Sequence, residues 1–322
     1  MIEIHGRTGS IKAAAGEIPK DAIWIDMIDP DERERDAVSK HIGVRLPTRE
    51  QLSEIEESSR VSKRDDHLYL STPIIGNSTM EDAEISPAGF VLGAKLVVTI
   101  RYAELPTFDL VAERLTQEAA LDTPLGIFVA LLEAIIDRGA DVLEHLGVAA
   151  DEISKNVFRG DLSTRRIRSQ TSVGLRRALS KLGALGDRLS KARDVLLGVG
   201  RIASFTADVG HDWLSQEFHD RLKAVSKDVE SLSAYESHLS DKTQFLLDAI
   251  LGYISIEQND IFRVLTIASV VGVPPTLMAG VWGMNFKFMP ELNWTFGYPF
   301  AWGVIILTTI LPLVWFWRRG WF

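Results

Sequence analysis

Two stretches near the C-terminal end carry no charged residue, Val264–Trp282 with 19 residues and Tyr298–Trp317 with 20. As helices, each is long enough to cross a bilayer core of about 30 Å. A buried helix of a large soluble domain can be equally apolar. Two such runs, separated by a short loop and flanked by Trp and Tyr, read instead as membrane spans with interfacial aromatic anchors. The flanking charges orient them. Arg263 precedes the first run and Arg318 and Arg319 follow the second, whereas the connecting loop holds only Lys287 and Glu291. By the positive-inside rule both termini are cytoplasmic.

The preceding chain is of a different kind. With 46% hydrophobic and 25% charged residues in 322, the protein has the composition of a folded chain. Net charge is −9, and Lys287, Glu291, Arg318 and Arg319 together supply +2, so the first 263 residues carry −11. Such an acidic body repels nucleic acid and anionic lipid and collects divalent cations. There is no cysteine, which excludes disulfides and thiolate metal sites and leaves oxygen or histidine to hold any metal. The opening MIEIHGRTGSIKAAAGEIPK lacks the apolar core of a signal peptide. Together these features point to a multi-pass protein of a prokaryotic inner membrane.

Residues 1–120 alternate strand-like runs (AIWIDMI, HLYLSTPII, FVLGAKLVVTIRY) with helical ones (DERERDAVSKHIG, TREQLSEIEESSR), which predicts an α+β cytoplasmic domain. They contain no Gly-rich phosphate loop and no HExxH, and the seven histidines of the chain are scattered, so no catalytic set or cofactor site is expected. Residues 121–263 are expected to be helical. Thr123 and Pro124 open a first, acidic helix that stops at Gly160; a second, basic helix runs from about Thr164 to Gly200. Complementary charge predicts that these two form an antiparallel hairpin. A third helix runs from about His211 without a strong breaker into the first span. Continuous to Asn285, it would measure about 110 Å at about 1.5 Å per residue. Phe218, Leu222, Val225, Val229, Leu232, Leu239, Leu246 and Ile250 recur along it in a 4-3 alternation, a stalk seam expected to be filled by neighbouring copies in a parallel homo-oligomer. The remaining expected boundaries are a first span over 264–285, an external loop over 286–297, a second span over 298–317 and a basic tail over 318–322.

Between the spans lies WGMNFKFMPEL, Trp282 to Leu292. A Gly-x-Asn at a helix end is commonly a capping turn. It could also be a filter: a ring of Asn285 amides, one from each copy, accepts hydrogen bonds from the waters of a hydrated cation without trapping it as a carboxylate ring does. That chemistry suits Mg²⁺, which sheds its water shell reluctantly. Gly283 would let the backbone turn near the axis, with Met284 packing behind it.

GMN directly after a first span, FKFMPELNWTFGYP after it, and a second span with a basic end resemble the CorA family of magnesium transport proteins. GVPPTLMAGVWGMNF, the stalk, LLEAIIDRGADVLEHL and LPTREQLSEIEESSR extend the likeness over most of the chain. The resemblance implies a pentamer with a funnel-shaped cytoplasmic body, first spans lining the pore and second spans around them. It implies Mg²⁺ as the transported ion, Co²⁺ and Ni²⁺ as alternatives, and closure by cytoplasmic Mg²⁺. The family's filter falls on Gly283, Met284 and Asn285, and its other pore-facing positions on Thr276, Val273, Leu265, Asn259 and Asp248. At about 100° per residue the last five share a helix stripe roughly 120° wide. Asn285 lies off this stripe, which bending at Pro274, Pro275 and Gly283 would explain.

Asp248 and Asn259 offer oxygens, and Leu265 and Val273 an apolar constriction that can close by dewetting. Glu291 would put a carboxylate ring at the outer mouth, opposed or paired by Lys287. Asp228, Asp65 and Asp66 are the candidate regulatory metal ligands. The absence of a nucleotide motif fits passive entry down an inside-negative potential, worth about 4.6 kcal/mol per 100 mV for a divalent ion. Two other readings stand beside this one. The first is a zinc transporter or efflux protein on the same scaffold, against which MPEL speaks because zinc-transporting relatives carry a GGxP pattern there. The second is a membrane-anchored coiled-coil protein whose spans only tether a partner-binding domain.

Overall fold

AIWIDMI has apolar residues at both parities, the pattern of a strand covered on both faces. In the computed structural model it is β3 (Ala22–Ile28), inside a seven-stranded sheet of order β2-β1-β3-β7-β6-β5-β4. The structure describes residues 1–6, 9–13, 18–19, 22–54, 56–76, 84–115, 121–158, 168–210, 214–287 and 289–321. The other strands are β1 (Ile2–Gly6), β2 (Gly9–Ala13), β4 (Val61–Arg64), β5 (His67–Gly76), β6 (Glu84–Leu92) and β7 (Val97–Arg101). β3 and β7 pair in parallel, and all other neighbours are antiparallel.

Parity decides what each face meets. Ile25, Met27, Val98 and Ile100 pack with Val38 of α1 (Glu32–Ile42) and Leu52 of α2 (Arg49–Leu52). On the opposite face Trp24 and Phe90 lie against Phe108 of α4 (Pro106–Arg114), and Phe90 meets Phe128 of α5 (Pro124–Phe158) edge-on at 5.6 Å. A short α3 (Glu57–Arg60) leads into β4. The second face also buries an ion pair: Asp26 and Arg101 are each 1% exposed. Arg101 Nε donates to Asp26 at 2.9 Å, Thr99 donates to Asp26 at 2.5 Å, and Trp24 Nε1 donates to Thr99 at 2.9 Å. Burial pushes the Asp26 carboxyl up, and Arg101 and Thr99 oppose that shift. Removing either partner would strand a charge in the core.

The chain divides into two compact units, one of Met1–Ile167 with Arg176–Leu247 and the other of Arg168–Leu175 with Asp248–Phe322. In the first, α5 lies beside α6 (Arg168–Val209) and α7 (Gln216–Trp282). The expected helix stop at Gly160 and the expected starts at Thr164 and His211 lie outside the described residues. α5 packs against α6 where Gly139 lies beside Leu196, and its acids Glu133 and Asp151 also take Arg221 and Lys242 of α7, at 2.6 and 2.5 Å.

The seam expectation is also corrected. Leu222, Val225, Val229, Leu239 and Leu246 are already buried within one chain. Gly147 of α5 admits Tyr235, whose hydroxyl would lie 2.5 Å from a Cβ there, and Gly200 of α6 faces Val229. A 4-3 alternation reports a narrow packed seam without saying whose side chains fill it. Here the protomer's own α5 and α6 do, so the seam gives no argument for an oligomer.

In the second unit α7 continues through Pro274 and Pro275 to Trp282, and α8 (Gly297–Arg318) follows. Both helices are long and apolar enough to cross a membrane, with best windows of mean hydropathy 1.8 and 1.9 that are 0% and 6% buried. Such exposure is unlike that of a soluble core helix.

Candidate ion pathway

Along the apolar part of α7 the half-buried residues are Arg263, Ile267, Val271, Pro274, Pro275, Met278 and Trp282. They form one helix face. The matching half-buried or buried positions of α8 include Ala301, Val304, Ile305, Thr308, Pro312 and Phe316 at three- and four-residue spacing. The two helices meet at both ends, through Trp282 and Phe300 at 6.4 Å and through Arg263 Nε donating to the Trp321 carbonyl at 3.1 Å. One face of α7 is therefore taken by α8.

The residues expected to line a pore occupy the other side. Asp248, Asn259, Leu265, Val273 and Thr276 are all exposed, Leu265 and Val273 at 61%. At about 100° per residue their stripe is centred roughly 150° from the face that α8 covers. The Thr276 hydroxyl donates to the Gly272 carbonyl at 2.7 Å, so what this face presents at Thr276 is an acceptor oxygen. Pro274 and Pro275 have no N–H, which frees the Val270 and Val271 carbonyls of their usual helical donors.

A ladder of small residues at four-residue spacing was missed from sequence. Ala268, Gly272, Thr276 and Gly280 line a shallow open groove along α7 together with Val273, Leu277 and Met284. Small residues at this interval let helices approach closely in a membrane. The spacing itself was the available signal.

The helix ends before the filter segment. Gly283 N–H bonds to the Ala279 and Gly280 carbonyls at 3.0 and 3.2 Å and Met284 N–H to Val281 at 3.3 Å, a closing turn. A Cβ at Gly283 would meet the Ala279 carbonyl oxygen at 3.3 Å, tight for any side chain. Two expectations change here. The first apolar helix stops at Trp282 rather than at Asn285, so Asn285 is off the stripe because it is off the helix; a bend is not needed. Met284 does not pack behind Asn285 within the chain but is 47% exposed, like the exposed Asn285 beside it.

The connecting segment contains a 3-10 turn, Pro290–Asn293. It includes Glu291, whose side chain lies outside the described residues. Phe286, Trp294, Phe296, Tyr298 and Trp302 are exposed around this segment, as Trp315 and Trp317 are at the other end of α8, in the manner of two aromatic belts.

The regulatory candidates do not come together as a metal site. Asp65 has φ 52° and, with Asp66, forms the tight turn between β4 and β5, a conformation aspartate tolerates. Asp228 is exposed on α7 and, with Glu133 and Asp141, raises the pKa of Asp137, for which burial is the larger cause. Among the described residues no three His, Asp or Glu side chains gather as a metal site.

An α+β domain carrying a 67-residue helix, and a C-terminal pair of exposed apolar helices with a stripe of mixed polar and apolar residues opposite their contact, define a two-span membrane protein with one face of its first span left uncovered. The family model described as CorA-like Mg²⁺ transporter protein matches residues 19–319. A magnesium transport protein CorA from Salmonella typhimurium is 32% identical over 302 residues, 94% of this chain and 92% of the relative. One from Escherichia coli is 33% identical over 301 residues, 93% and 92% of the two chains. The complete structure of a CorA magnesium transporter from Methanocaldococcus jannaschii superposes with TM-score 0.67 at 20% identity, covering 100% of this chain and 98% of that one. The chain belongs to the CorA-like Mg²⁺ transporter family.

Proposed function

We propose that this protein is a passive Mg²⁺ influx channel of the inner membrane, accepting Co²⁺ and Ni²⁺ as alternatives, and that it works as a homo-oligomer, a pentamer on the family pattern. The observation that carries the reading is the opposition of faces on α7. One side is covered by α8, while the other carries Asp248, Asn259, Leu265, Val273 and Thr276 and leads to Asn285. Two spans cannot enclose a pore. Copies arranged with the α8 side outward would bring the exposed stripes together around an axis, the small-residue ladder supporting close approach of neighbouring helices.

Along that axis the chemistry follows ion hydration. Asn285 amide oxygens accept hydrogen bonds from the water shell at the outer end, where full dehydration of Mg²⁺ would be costly. Thr276 continues the acceptor line, Val273 and Leu265 form an apolar constriction that closes by dewetting, and Asn259 and Asp248 receive the ion on the cytoplasmic side. Glu291 concentrates cations at the outer mouth. Both termini face the cytoplasm, and cytoplasmic Mg²⁺ bound between the acidic bodies of neighbouring copies, with Asp228, Asp65 and Asp66 as candidate ligands that do not gather within one copy, closes the pore.

The absence of cysteine provides a clean test. Single substitutions Val273→Cys, Thr276→Cys and Met278→Cys are treated with a charged thiol reagent in proteoliposomes. Block of Mg²⁺ flux at Val273 and Thr276 with none at Met278 is expected; the reverse pattern would place the pathway on the wrong face of α7.

A further inference from the structure

The described residues of the segment LPTREQLSEIEESSR have no role in the pathway, yet several of them line a cavity in the cytoplasmic domain. Thr48 and Gln51 exchange side-chain and backbone hydrogen bonds as a capping box that starts α2. Arg60 Nε donates to the Glu54 carbonyl at 2.8 Å, which fixes its guanidinium, and Arg64 stands over the Tyr69 ring at 5.1 Å. These elements, with β4 and β5, enclose a cavity of about 180 Å³ lined by Arg45, Gln51, Arg60, Ser62, Arg64 and Ser71 among others.

Three features of the cavity agree on one chemistry. First, among the described residues three guanidiniums and one carboxylate, Glu54, line the cavity, in a body whose net charge is −11. Among the described residues none of the three has a carboxylate at ion-pair distance. Second, Ser71 is 4% exposed and its Oγ has no hydrogen-bond partner among the described residues. A buried hydroxyl is ordinarily satisfied, so one left over in the cavity lining has a hydrogen bond still to make. Third, Arg60 is half-buried beside Arg201, and burial together with that like charge lowers its pKa despite Asp194. An anion would relieve both. The size is restrictive, because pockets for organic ligands run from about 300 Å³ upward.

We propose that this cavity is a binding site for a small phosphate-type oxyanion, inorganic phosphate or pyrophosphate, gripped by Arg45, Arg60 and Arg64 with Ser62 and Ser71 as hydroxyl donors. Guanidinium forks match tetrahedral oxyanions, and backbone-fixed ones bind with less ordering cost. The site is independent of the proposed pore, so its test reads binding and not flux.

The full-length protein in detergent, with a chelator present to remove divalent cations, is titrated calorimetrically with phosphate, pyrophosphate and ADP, and its melting temperature is followed in parallel. Sodium chloride at matched ionic strength is the control. Phosphate or pyrophosphate should raise the melting temperature beyond chloride, and Arg64→Gln and Arg45→Gln should each weaken binding at least about tenfold, the loss of one charge-assisted contact. Both side chains are exposed, so the variants fold. Lys63→Gln, an exposed charge on the same strand outside the cavity, should leave affinity unchanged. Ser71→Ala should melt no lower than wild type without ligand yet bind more weakly, a combination that a merely structural serine would not give. No response beyond chloride, or equal responses in wild type, Arg45→Gln and Arg64→Gln, would overturn the assignment. Binding of ADP with none of phosphate or pyrophosphate would overturn it too.

Discussion

His5 is 2% exposed and stacked on Trp24 with ring centroids 4.3 Å apart, and burial holds its imidazole down at about 4 against an ordinary 6.5. Glu3 and Asp109 pull it upward and Arg101 adds to the lowering, but burial dominates. Between pH 6.5 and about 4 the unfolded chain therefore protonates His5 while the folded chain does not. With more protons bound when unfolded, stability rises with pH across this window and is lost as pH falls. By pH 4.5 the linkage amounts to about 2.5 kcal/mol, taking about 1.36 kcal/mol per pH unit. That corresponds to roughly 5–10 °C of melting temperature for a folding unit of this size. The perturbation is His5→Gln, which cannot titrate. Tryptophan-fluorescence melts of the full-length protein in detergent at pH 7 and pH 4.5 provide the readout. Wild type should lose several degrees more than the variant between the two conditions, since the contributions of Asp26 and the surface carboxylates are common to both. Parallel losses would show that His5 is not held neutral by the fold, and the reasoning would fail.

Gly198 of α6 lies so close to the Thr72 side chain of β5 that an added Cβ overlaps it. Gly198→Ala should cost about 1–3 kcal/mol in denaturant unfolding, and an unchanged midpoint would contradict the packing described. Burial, then Glu133, Asp141 and Asp228, raise the pKa of Asp137, so its ionised form opposes folding and stability is lost as pH rises through the raised value. Asp137→Asn should therefore raise the melting temperature at pH 7, and a fall would show that the charge is compensated. A potassium–valinomycin potential of −100 mV inside should drive passive Mg²⁺ accumulation toward about 2,000-fold, from about 4.6 kcal/mol per divalent ion. Flux indifferent to the imposed potential would argue against a passive pathway.

The spans were legible because charge-free runs of 19 and 20 residues have few other uses, and the strands because their β-rich runs are short and bounded. Partner choice was not legible. The periodic residues Leu222, Val225 and Val229 announce burial, but the same periodicity serves a seam filled from within the chain, which is what α5 and α6 do. Likewise the acids Glu133 and Asp151 announce basic partners, and only the packing shows that these are Arg221 and Lys242 of α7. The stripe from Asp248 to Thr276 could be drawn from angular spacing alone, yet its placement opposite α8 required the second helix to be seated. Asn285 misled the helical projection because Gly283 closes the helix first. The arginine-lined cavity was least visible, since Arg45, Arg60, Arg64 and Ser71 come from a loop, a helix end and two strands that only the sheet's pairing gathers.

The direct test of the pore reading is Mg²⁺ entry into liposomes carrying the purified protein and an internal fluorescent indicator, with an inside-negative potential and low internal Mg²⁺. Wild type should fill rapidly, and Asn285→Ala should abolish entry while the oligomer remains intact by size-exclusion chromatography. Undiminished Mg²⁺ entry through Asn285→Ala would remove Asn285 from the filter, and no Mg²⁺ entry by wild type, with Zn²⁺ moved instead or nothing moved at all, would contradict the Mg²⁺ channel itself.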